Sequence, residues 1–145
     1  MKELYDRSYF FDHGLRFECI RCGKCCKWSP GVVSIDKKEC PRIAQYLDIS
    51  LPCFIKKYLH PFRNGYRILE KPNGWCPFYD EESGCTIYSV RPVQCRTFPF
   101  WFTILRSEEN WHRISRQCPG IGRGNLYSKD QILTIVQSTF FLFVD

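Results

Sequence analysis

The chain has 145 residues, of which 44% are hydrophobic, 17% aromatic and 25% charged, and its formal net charge is +6. This length fits one domain, and these fractions argue against a disordered tail, a coiled coil or a collagen-like fibre. The ten cysteines are the unusual part of the composition.

The first predicted elements are an aromatic-rich segment and a helix. Residues 1–18 are expected to form an irregular arm or a short strand. A helix is predicted from about residue 37 to 47, because Asp36 and Glu39 are spaced as a capping box. Pro41 lacks a backbone donor, so this helix should start later or bend there.

A second helix should follow Ser50 and stop at His60, before Pro61. Its apolar spacing predicts one buried face, formed by Leu51, Phe54, Ile55, Tyr58 and Leu59. Both predicted helices carry a cysteine, Cys40 and Cys53, and a free cysteine on a helix behaves as a small buried hydrophobe. We therefore expect both thiols to pack in the core.

Short strands and turns are predicted next. Residues 66–70 read as a strand, and 71–74 and 81–84 as turns. Residues 100–106 and 111–116, separated by a polar loop, are typical of a β-hairpin. The whole pattern predicts a small α+β fold in a single domain, 1–145, with short helices and hairpins.

A C-terminal helix is predicted over residues 128–144, with Ser128 and Gln131 as a second capping box. Its apolar side chains cover more than one face, which suits a helix buried in the domain or docked on a protein partner.

The N-terminus lacks the pattern of a secretory signal, and no apolar run reaches the ~20 residues that span a bilayer. We therefore expect a cytoplasmic protein that does not bind membranes. Cytosolic thiols are kept reduced, so ten cysteines there favour metal binding or redox chemistry over disulfides.

The first four cysteines form the run Cys19-x2-Cys22-x2-Cys25-Cys26. Three thiolates at this spacing are typical of the first ligands in a bacterial ferredoxin motif, whose fourth ligand is a cysteine followed by proline. Cys76 and Cys118 both precede proline. The same Cys-x2-Cys step also serves zinc, so the pattern leaves both metals open.

Bound metal would lower the positive charge of the protein. Two zinc sites with four thiolates each would reduce the charge of +6 by about 4 units, and one oxidised four-iron cluster by about 2 units. The holo-protein would be only mildly basic, and no RNA-binding motif accompanies its aromatic residues. We expect no nucleic-acid partner.

The cysteine motifs, taken together, resemble the YkgJ-like cysteine-cluster family (CxxCxxCC) over residues 17–124. They are Cys19-x2-Cys22-x2-Cys25-Cys26, Cys76-Pro-Phe, Gly84-Cys85-Thr-Ile-Tyr88, Arg91-Pro92-x2-Cys95-Arg96-x-Phe98-Pro99 and Cys118-Pro119-Gly120-x-Gly122-x-Gly124. That family is known as a zinc- or iron-chelating domain, and larger proteins similar to it are flagellin lysine N-methylases with an iron–sulfur cluster.

The resemblance implies eight metal ligands: Cys19, Cys22, Cys25, Cys26, Cys76, Cys85, Cys95 and Cys118. Two zinc centres would use all eight, whereas one four-iron cluster would use four, such as Cys19, Cys22, Cys25 and a Cys-Pro cysteine. The triple spacing and the methylase relatives favour an iron–sulfur cluster over zinc.

Arg91 and Arg96 flank Cys95, so their guanidinium groups are candidates for hydrogen-bonding cluster sulfurs or an anionic ligand. The alternative is a salt bridge to the acidic loop 80–82. The glycines after Cys118 are expected to let the backbone approach the metal and to donate amide hydrogens to sulfur.

Three functions remain open from the sequence. The first is a cytosolic metal-binding protein that serves electron transfer, metal handling or a modifying reaction. The second is a small enzyme of the cluster-dependent methylase type, and the third is a structural zinc domain that binds a protein partner. The sequence shows no nucleotide-phosphate loop, Ser-His-Asp arrangement or carboxylate pair that would indicate a particular reaction.

Overall fold

The computed structural model describes residues 2–23 and 33–142. The chain forms two compact units, and each is described by itself. We call Met1–Ile20 with Thr97–Asp145 the terminal unit, and Arg21–Arg96 the middle unit. Helices and small antiparallel sheets occur together, which confirms the predicted α+β class.

The helices, in chain order, are α1 (Lys2–Asp6), α2 (Cys40–Tyr46), α3 (Leu51–Tyr58), α4 (Val93–Thr97), α5 (Phe102–Leu105), α6 (Glu108–Ser115) and α7 (Lys129–Thr139). Short 3₁₀ turns cover Lys37–Glu39, Tyr88–Val90 and Phe140–Leu142. The strands are β1 (Leu15–Phe17), β2 (Ser34–Ile35), β3 (Leu59–Phe62), β4 (Gly65–Ile68), β5 (Tyr79–Asp80), β6 (Gly84–Cys85) and β7 (Asn125–Tyr127). Among these described helices, none is long and apolar enough to cross a bilayer.

The predicted capping box at the start of the first middle-unit helix is present. Asp36 accepts a hydrogen bond from the Lys38 amide at 2.9 Å, and Glu39 accepts one from the Asp36 amide at 3.1 Å. These bonds close a 3₁₀ turn, and the α-helix begins only at Cys40, with Pro41 in its first turn. The later start follows from the missing amide hydrogen of the proline.

Helix α3 begins as predicted, because the Ser50 hydroxyl accepts a hydrogen bond from the Cys53 amide at 3.2 Å. It ends at Tyr58, earlier than expected, because Leu59 already pairs with Ile68 in the β3–β4 hairpin. Strand β4 lies between β2 and β3 in a three-stranded antiparallel sheet.

The core of the middle unit lies between this sheet and helices α2 and α3. Phe54 is fully buried, and Ile35 and Ile43 are 1% exposed. Leu51, predicted on the same buried face as Phe54, is 37% exposed, so that part of the prediction is wrong. Leu51 opens the first turn of the helix, where the chain enters from the surface.

The terminal unit pairs β1 with β7 in an antiparallel ribbon and packs α1 with α7. Ser128 and Gln131 form the predicted capping box of α7, and Ile132 and Leu133 are buried. The helix ends at Thr139, short of the predicted residue 144, and continues as a 3₁₀ turn. Residues 143–145 lie outside the described part of the chain.

The predicted hairpin over residues 100–116 is wrong, because this segment is helical. Ser107 caps α6 by accepting a hydrogen bond from the Asn110 amide at 3.1 Å. Trp111 and Ile114, three residues apart, are the buried side chains of this helix. Aromatic residues before the cap gave the segment its strand-like pattern, but the capped helix buries more apolar surface.

Candidate metal centre

The six described motif cysteines divide between the two units. Cys19 and Cys118 belong to the terminal unit, and Cys22, Cys76, Cys85 and Cys95 belong to the middle unit. Cys25 and Cys26 lie outside the described residues. No disulfide joins two cysteines within the described part of the chain.

In the terminal unit, backbone pairing brings Cys19 and Cys118 to neighbouring register positions. Phe17 forms an antiparallel bridge with Ile121, and the Glu18 amide donates to the Gly120 carbonyl at 3.1 Å. Cys19 directly follows this pairing on one strand, and Cys118 precedes it by one residue, Pro119, on the other. Cys19 is exposed and Cys118 is half-buried.

The pairing beside these two cysteines requires glycine. A Cβ built on Gly120 would lie 2.0 Å from the Glu18 carbonyl oxygen, which is far inside van der Waals contact. Gly124 has a φ of +77°, and its Cβ would lie 2.5 Å from the Glu18 side chain. Gly120 and Gly124 therefore allow a close approach to residue 18, whereas the expected approach of this backbone to a metal stays a prediction.

The predicted amide donation to sulfur does not hold for Gly122. Its amide donates to the Arg16 carbonyl at 2.8 Å and so extends the pairing with strand β1. This bond fixes the position of the strand that leads into Cys19.

In the middle unit, the loop that carries Cys22 is held on both sides. Arg21 and Gly23 adopt positive φ angles of 57° and 78°, so the chain turns sharply around Cys22. The Arg21 guanidinium lies 3.7 Å from the centroid of the Tyr88 ring. A Cβ on Gly23 would lie 2.3 Å from the Tyr79 ring, so glycine is required there as well.

Both anchors of this loop lie on the segment that carries Cys85. Cys85 is on strand β6 directly opposite Tyr79, and Tyr88 follows three residues later. The Cys22 loop therefore lies along the Cys85 segment. The Tyr79 amide donates to the Cys76 carbonyl at 3.1 Å, which ties Cys76 to the same hairpin. Cys76 and Cys85 are half-buried and pack against the core.

Cys95 lies on α4, and two hydrogen bonds to distant parts of the sequence hold this helix. The Glu39 carboxylate accepts a hydrogen bond from the Val93 amide at 2.7 Å. Gln94, which is 3% exposed, accepts one from the Ser34 amide at 2.9 Å. The sequence pattern predicts Glu39 only as part of a capping box. The role of Gln94 has no signal in its flanking residues, Arg91-Pro92-Val93 and Cys95-Arg96, which are themselves partly polar.

The two motif arginines have different partners. Arg96 lies 3.5 Å from the Glu39 carboxylate, so its salt bridge forms with the 3₁₀ turn before α2, and the alternative of a salt bridge to the loop 80–82 is wrong for Arg96. Arg91 donates through Nε to the Tyr88 carbonyl at 3.0 Å, and its guanidinium lies 3.8 Å from the centroid of the Tyr88 ring. Asp80, in that acidic loop, instead accepts hydrogen bonds from Ser83.

The two cysteines outside the motifs differ in exposure. Cys40 is 1% exposed, as predicted, and burial raises its pKa to about 11, with a further contribution from the negative charges of Glu39 and Asp36. Cys53 is exposed, so its predicted place in the core is wrong. It lies one residue before the buried Phe54, on the solvent side of α3.

The donor set suits a thiophilic metal. The six described motif cysteines are exposed or half-buried, and thiolates are the preferred ligands of zinc and of iron–sulfur clusters. Within residues 2–23 and 33–142, no group of three or more His, Cys, Asp or Glu is arranged to hold a metal ion. Because Cys25 and Cys26 fall outside these ranges, the set of eight ligands stays a prediction.

Comparison with known proteins identifies the family. The family model described as "Putative zinc- or iron-chelating domain" (CxxCxxCC) matches residues 18–119. An uncharacterized protein of Methanocaldococcus jannaschii is 38% identical over 90 residues, a match that covers 61% of this chain and 47% of the relative. The chain thus spans about half the length of this curated relative. No solved structure matches the chain. Since the family model covers most of the chain, the protein belongs to the CxxCxxCC family of zinc- or iron-chelating domains.

Proposed function

We propose that the protein holds an iron–sulfur cluster through four of the eight motif cysteines, Cys19, Cys22, Cys25 and Cys118, and that it serves electron transfer in the cytoplasm together with a protein partner. The observation that carries this proposal is the pairing of Glu18 with Gly120, which brings Cys19 and the Cys-Pro cysteine Cys118 to neighbouring positions.

The ligand chemistry favours iron–sulfur over zinc. Cys19, Cys22 and Cys25 have the spacing of the first three ligands of a ferredoxin motif, and Cys118 precedes proline as the fourth ligand does. A bound cluster would supply one-electron transfer. The chain itself would contribute thiolate ligands and a fixed backbone around them.

The middle unit supports further ligation. Cys76 and Cys85 are tied to one hairpin, the Cys22 loop lies along it, and Glu39 and Gln94 hold the helix of Cys95. Rigid elements that fix the ligands in advance lower the cost of ordering them on the metal. We propose that Cys76, Cys85 and Cys95 are metal ligands as well.

The test is elemental analysis with an absorption spectrum of protein purified without oxygen. Iron and acid-labile sulfide in matching amounts, with a broad brown absorbance, are expected. About two zinc ions per chain and no colour would contradict the cluster and indicate two closed Zn(Cys)4 sites, as in structural zinc domains. A metal-free protein that remains folded would overturn metal binding itself, because metal-binding energy contributes to folding in such domains.

A further inference from the structure

Two arginines of the middle unit lie against one tyrosine ring. The guanidinium carbons of Arg21 and Arg91 are 3.7 Å and 3.8 Å from the centroid of Tyr88. We call these three residues the arginine–tyrosine stack. Like charges repel at such a short separation, and the tyrosine ring offsets only part of this repulsion through cation–π attraction.

Neither charge of the stack is neutralised within the described part of the chain. Residues 2–23 and 33–142 place no carboxylate within salt-bridge distance of Arg21 or Arg91, whereas Arg96 is paired with Glu39. Arg91 uses Nε for the Tyr88 carbonyl, and neither its terminal nitrogens nor any nitrogen of Arg21 has an acceptor in these ranges. The stack therefore presents two sets of unused guanidinium donors.

The stack is also fixed in place. Arg91 is half-buried and held by both its ring contact and its Nε hydrogen bond. Arg21 has a positive φ, which an arginine adopts only when its surroundings require it, and its side chain is exposed. Guanidinium groups that are already oriented lose less entropy when they bind a ligand.

We propose that the arginine–tyrosine stack is a binding site for a small oxyanion of the phosphate type. Each guanidinium is a planar fork that matches two oxygens of such an anion, and a doubly charged anion would neutralise both arginines. The exposed Arg21 leaves the site open to solvent. This site is separate from the proposed metal function, because its donors are guanidinium groups and its ligand is an anion.

The experiment is a titration of the full-length protein, with its purified metal content, with inorganic phosphate. Binding is followed by calorimetry at constant ionic strength, with chloride as the reference anion. We expect saturable binding of phosphate and none of chloride. Arg21→Gln and Arg91→Gln should each weaken binding about tenfold or more, because each removes a charge-assisted pair of hydrogen bonds.

Matched variants distinguish a specific anion-binding site from a surface that attracts anions only through its positive charge. Tyr88→Phe keeps the ring and should bind phosphate within about threefold of the unmodified protein, whereas Tyr88→Leu should weaken binding as much as Arg91→Gln. Arg42→Gln removes an exposed charge on α2 and should change nothing. Equal weakening by Arg42→Gln, or chloride binding as tightly as phosphate, would overturn the proposal.

Metal analysis of each variant distinguishes the proposed oxyanion site from the proposed metal function. Arg91→Gln that keeps its metal but loses phosphate binding supports the oxyanion site. Loss of phosphate binding only in variants that also lose metal would show that the arginines serve as counter-charges to metal-bound thiolates, and would refute a separate site. Tyr88→Phe, the mildest change, keeps the test valid if Tyr88→Leu does not fold.

Discussion

The Glu18 amide donates to the Gly120 carbonyl at 3.1 Å, and a Cβ on Gly120 would lie 2.0 Å from the Glu18 carbonyl oxygen. The two backbones are therefore as close as a paired ribbon allows, with no room for a side chain. Cys19 follows this contact and Cys118 precedes it. The positions of Cys19 and Cys118 therefore depend on residue 120 being a glycine, because alanine would place a methyl group in this contact.

Replacing Gly120 with alanine should separate strand β1 from the segment after Cys118. We expect a loss of about 2–4 kcal/mol in the free energy of unfolding and weaker metal retention, because backbone must move to remove the overlap. Urea denaturation and metal analysis measure both effects.

Gly122→Ala is the matched control for this substitution. Gly122 has a φ of +91°, but its Cβ would meet nothing within 4 Å. Only backbone strain of about 1–2 kcal/mol is expected. If both substitutions lowered the free energy of unfolding equally, the contact with Glu18 would not be what requires glycine at residue 120.

Cys22→Ser should abolish metal retention, whereas Cys53→Ser should leave it intact. Cys22 lies on the loop held against Tyr79 and Tyr88, while Cys53 is exposed on α3 outside the motifs. Serine is a poor ligand for the metals that thiolates prefer. Metal content after gel filtration measures the difference, and equal loss in both variants would contradict the division into ligands and bystanders.

Alkylation should distinguish the two cysteines outside the motifs. At pH 8, iodoacetamide should modify Cys53 in the folded protein and leave Cys40 unmodified until the chain is unfolded. Cys40 is buried, and its pKa is raised to about 11, so almost no thiolate is present to react. Mass mapping of peptides identifies the modified sites, and early modification of Cys40 would show that α2 opens readily.

The raised pKa of Cys40 also predicts a pH dependence of stability. An unfolded chain loses this proton near the ordinary value of 9.0, while the folded protein keeps it until about pH 11. The unfolded state therefore binds fewer protons in this window, and stability should fall as the pH rises through it. Cys40→Ala should show a smaller decline between pH 9 and 11 in chemical denaturation, and an unchanged slope would contradict the assignment.

Glu39→Ala should destabilise the middle unit by about 1.5–3 kcal/mol, because a carboxylate that accepts hydrogen bonds from the Asp36 and Val93 amides is removed. Glu39→Gln keeps an acceptor oxygen and should cost less. The exposed Glu82→Ala should stay within about 0.5 kcal/mol of the unmodified protein. Thermal or urea unfolding provides the comparison, and a Glu39→Ala protein as stable as Glu82→Ala would contradict this role.

Features that depend on neighbouring residues were predictable from the sequence. The capping boxes Asp36–Glu39 and Ser128–Gln131 are local patterns, and both are present at the predicted positions. The turns at 71–74 and 81–84 follow from their glycines and polar residues, and both connect the segments expected. The family itself follows from cysteine spacing, which no tertiary contact alters.

Secondary structure was predicted wrongly where one segment fits both a strand pattern and a helix pattern. Residues 100–116 contain aromatic residues that favour strands, but Ser107 followed by Glu108 and Glu109 is a helix start, and the buried pair Trp111 and Ile114 has helical spacing. Cys53 was placed in the core by residue type alone. The helical period that buries Phe54 puts the preceding residue on the opposite side.

Contacts between residues that are far apart in the sequence could not be predicted from local sequence patterns. The bond from the Val93 amide to Glu39 joins residues 54 positions apart. The stacking of Arg21 and Arg91 on Tyr88 likewise requires two separate segments to meet. Glu39 has the sequence pattern of an ordinary capping residue, and only folding gives it a second partner.

Strand pairing in the terminal unit has a consequence for synthesis of the protein. Strand β1, near the start of the chain, pairs with β7, near its end, and all of the middle unit is translated between them. A ribosome makes the chain from its N-terminus, so β1 stays without its partner strand until β7 has left the exit tunnel. The antiparallel ribbon of the terminal unit therefore forms only after the whole middle unit has been made.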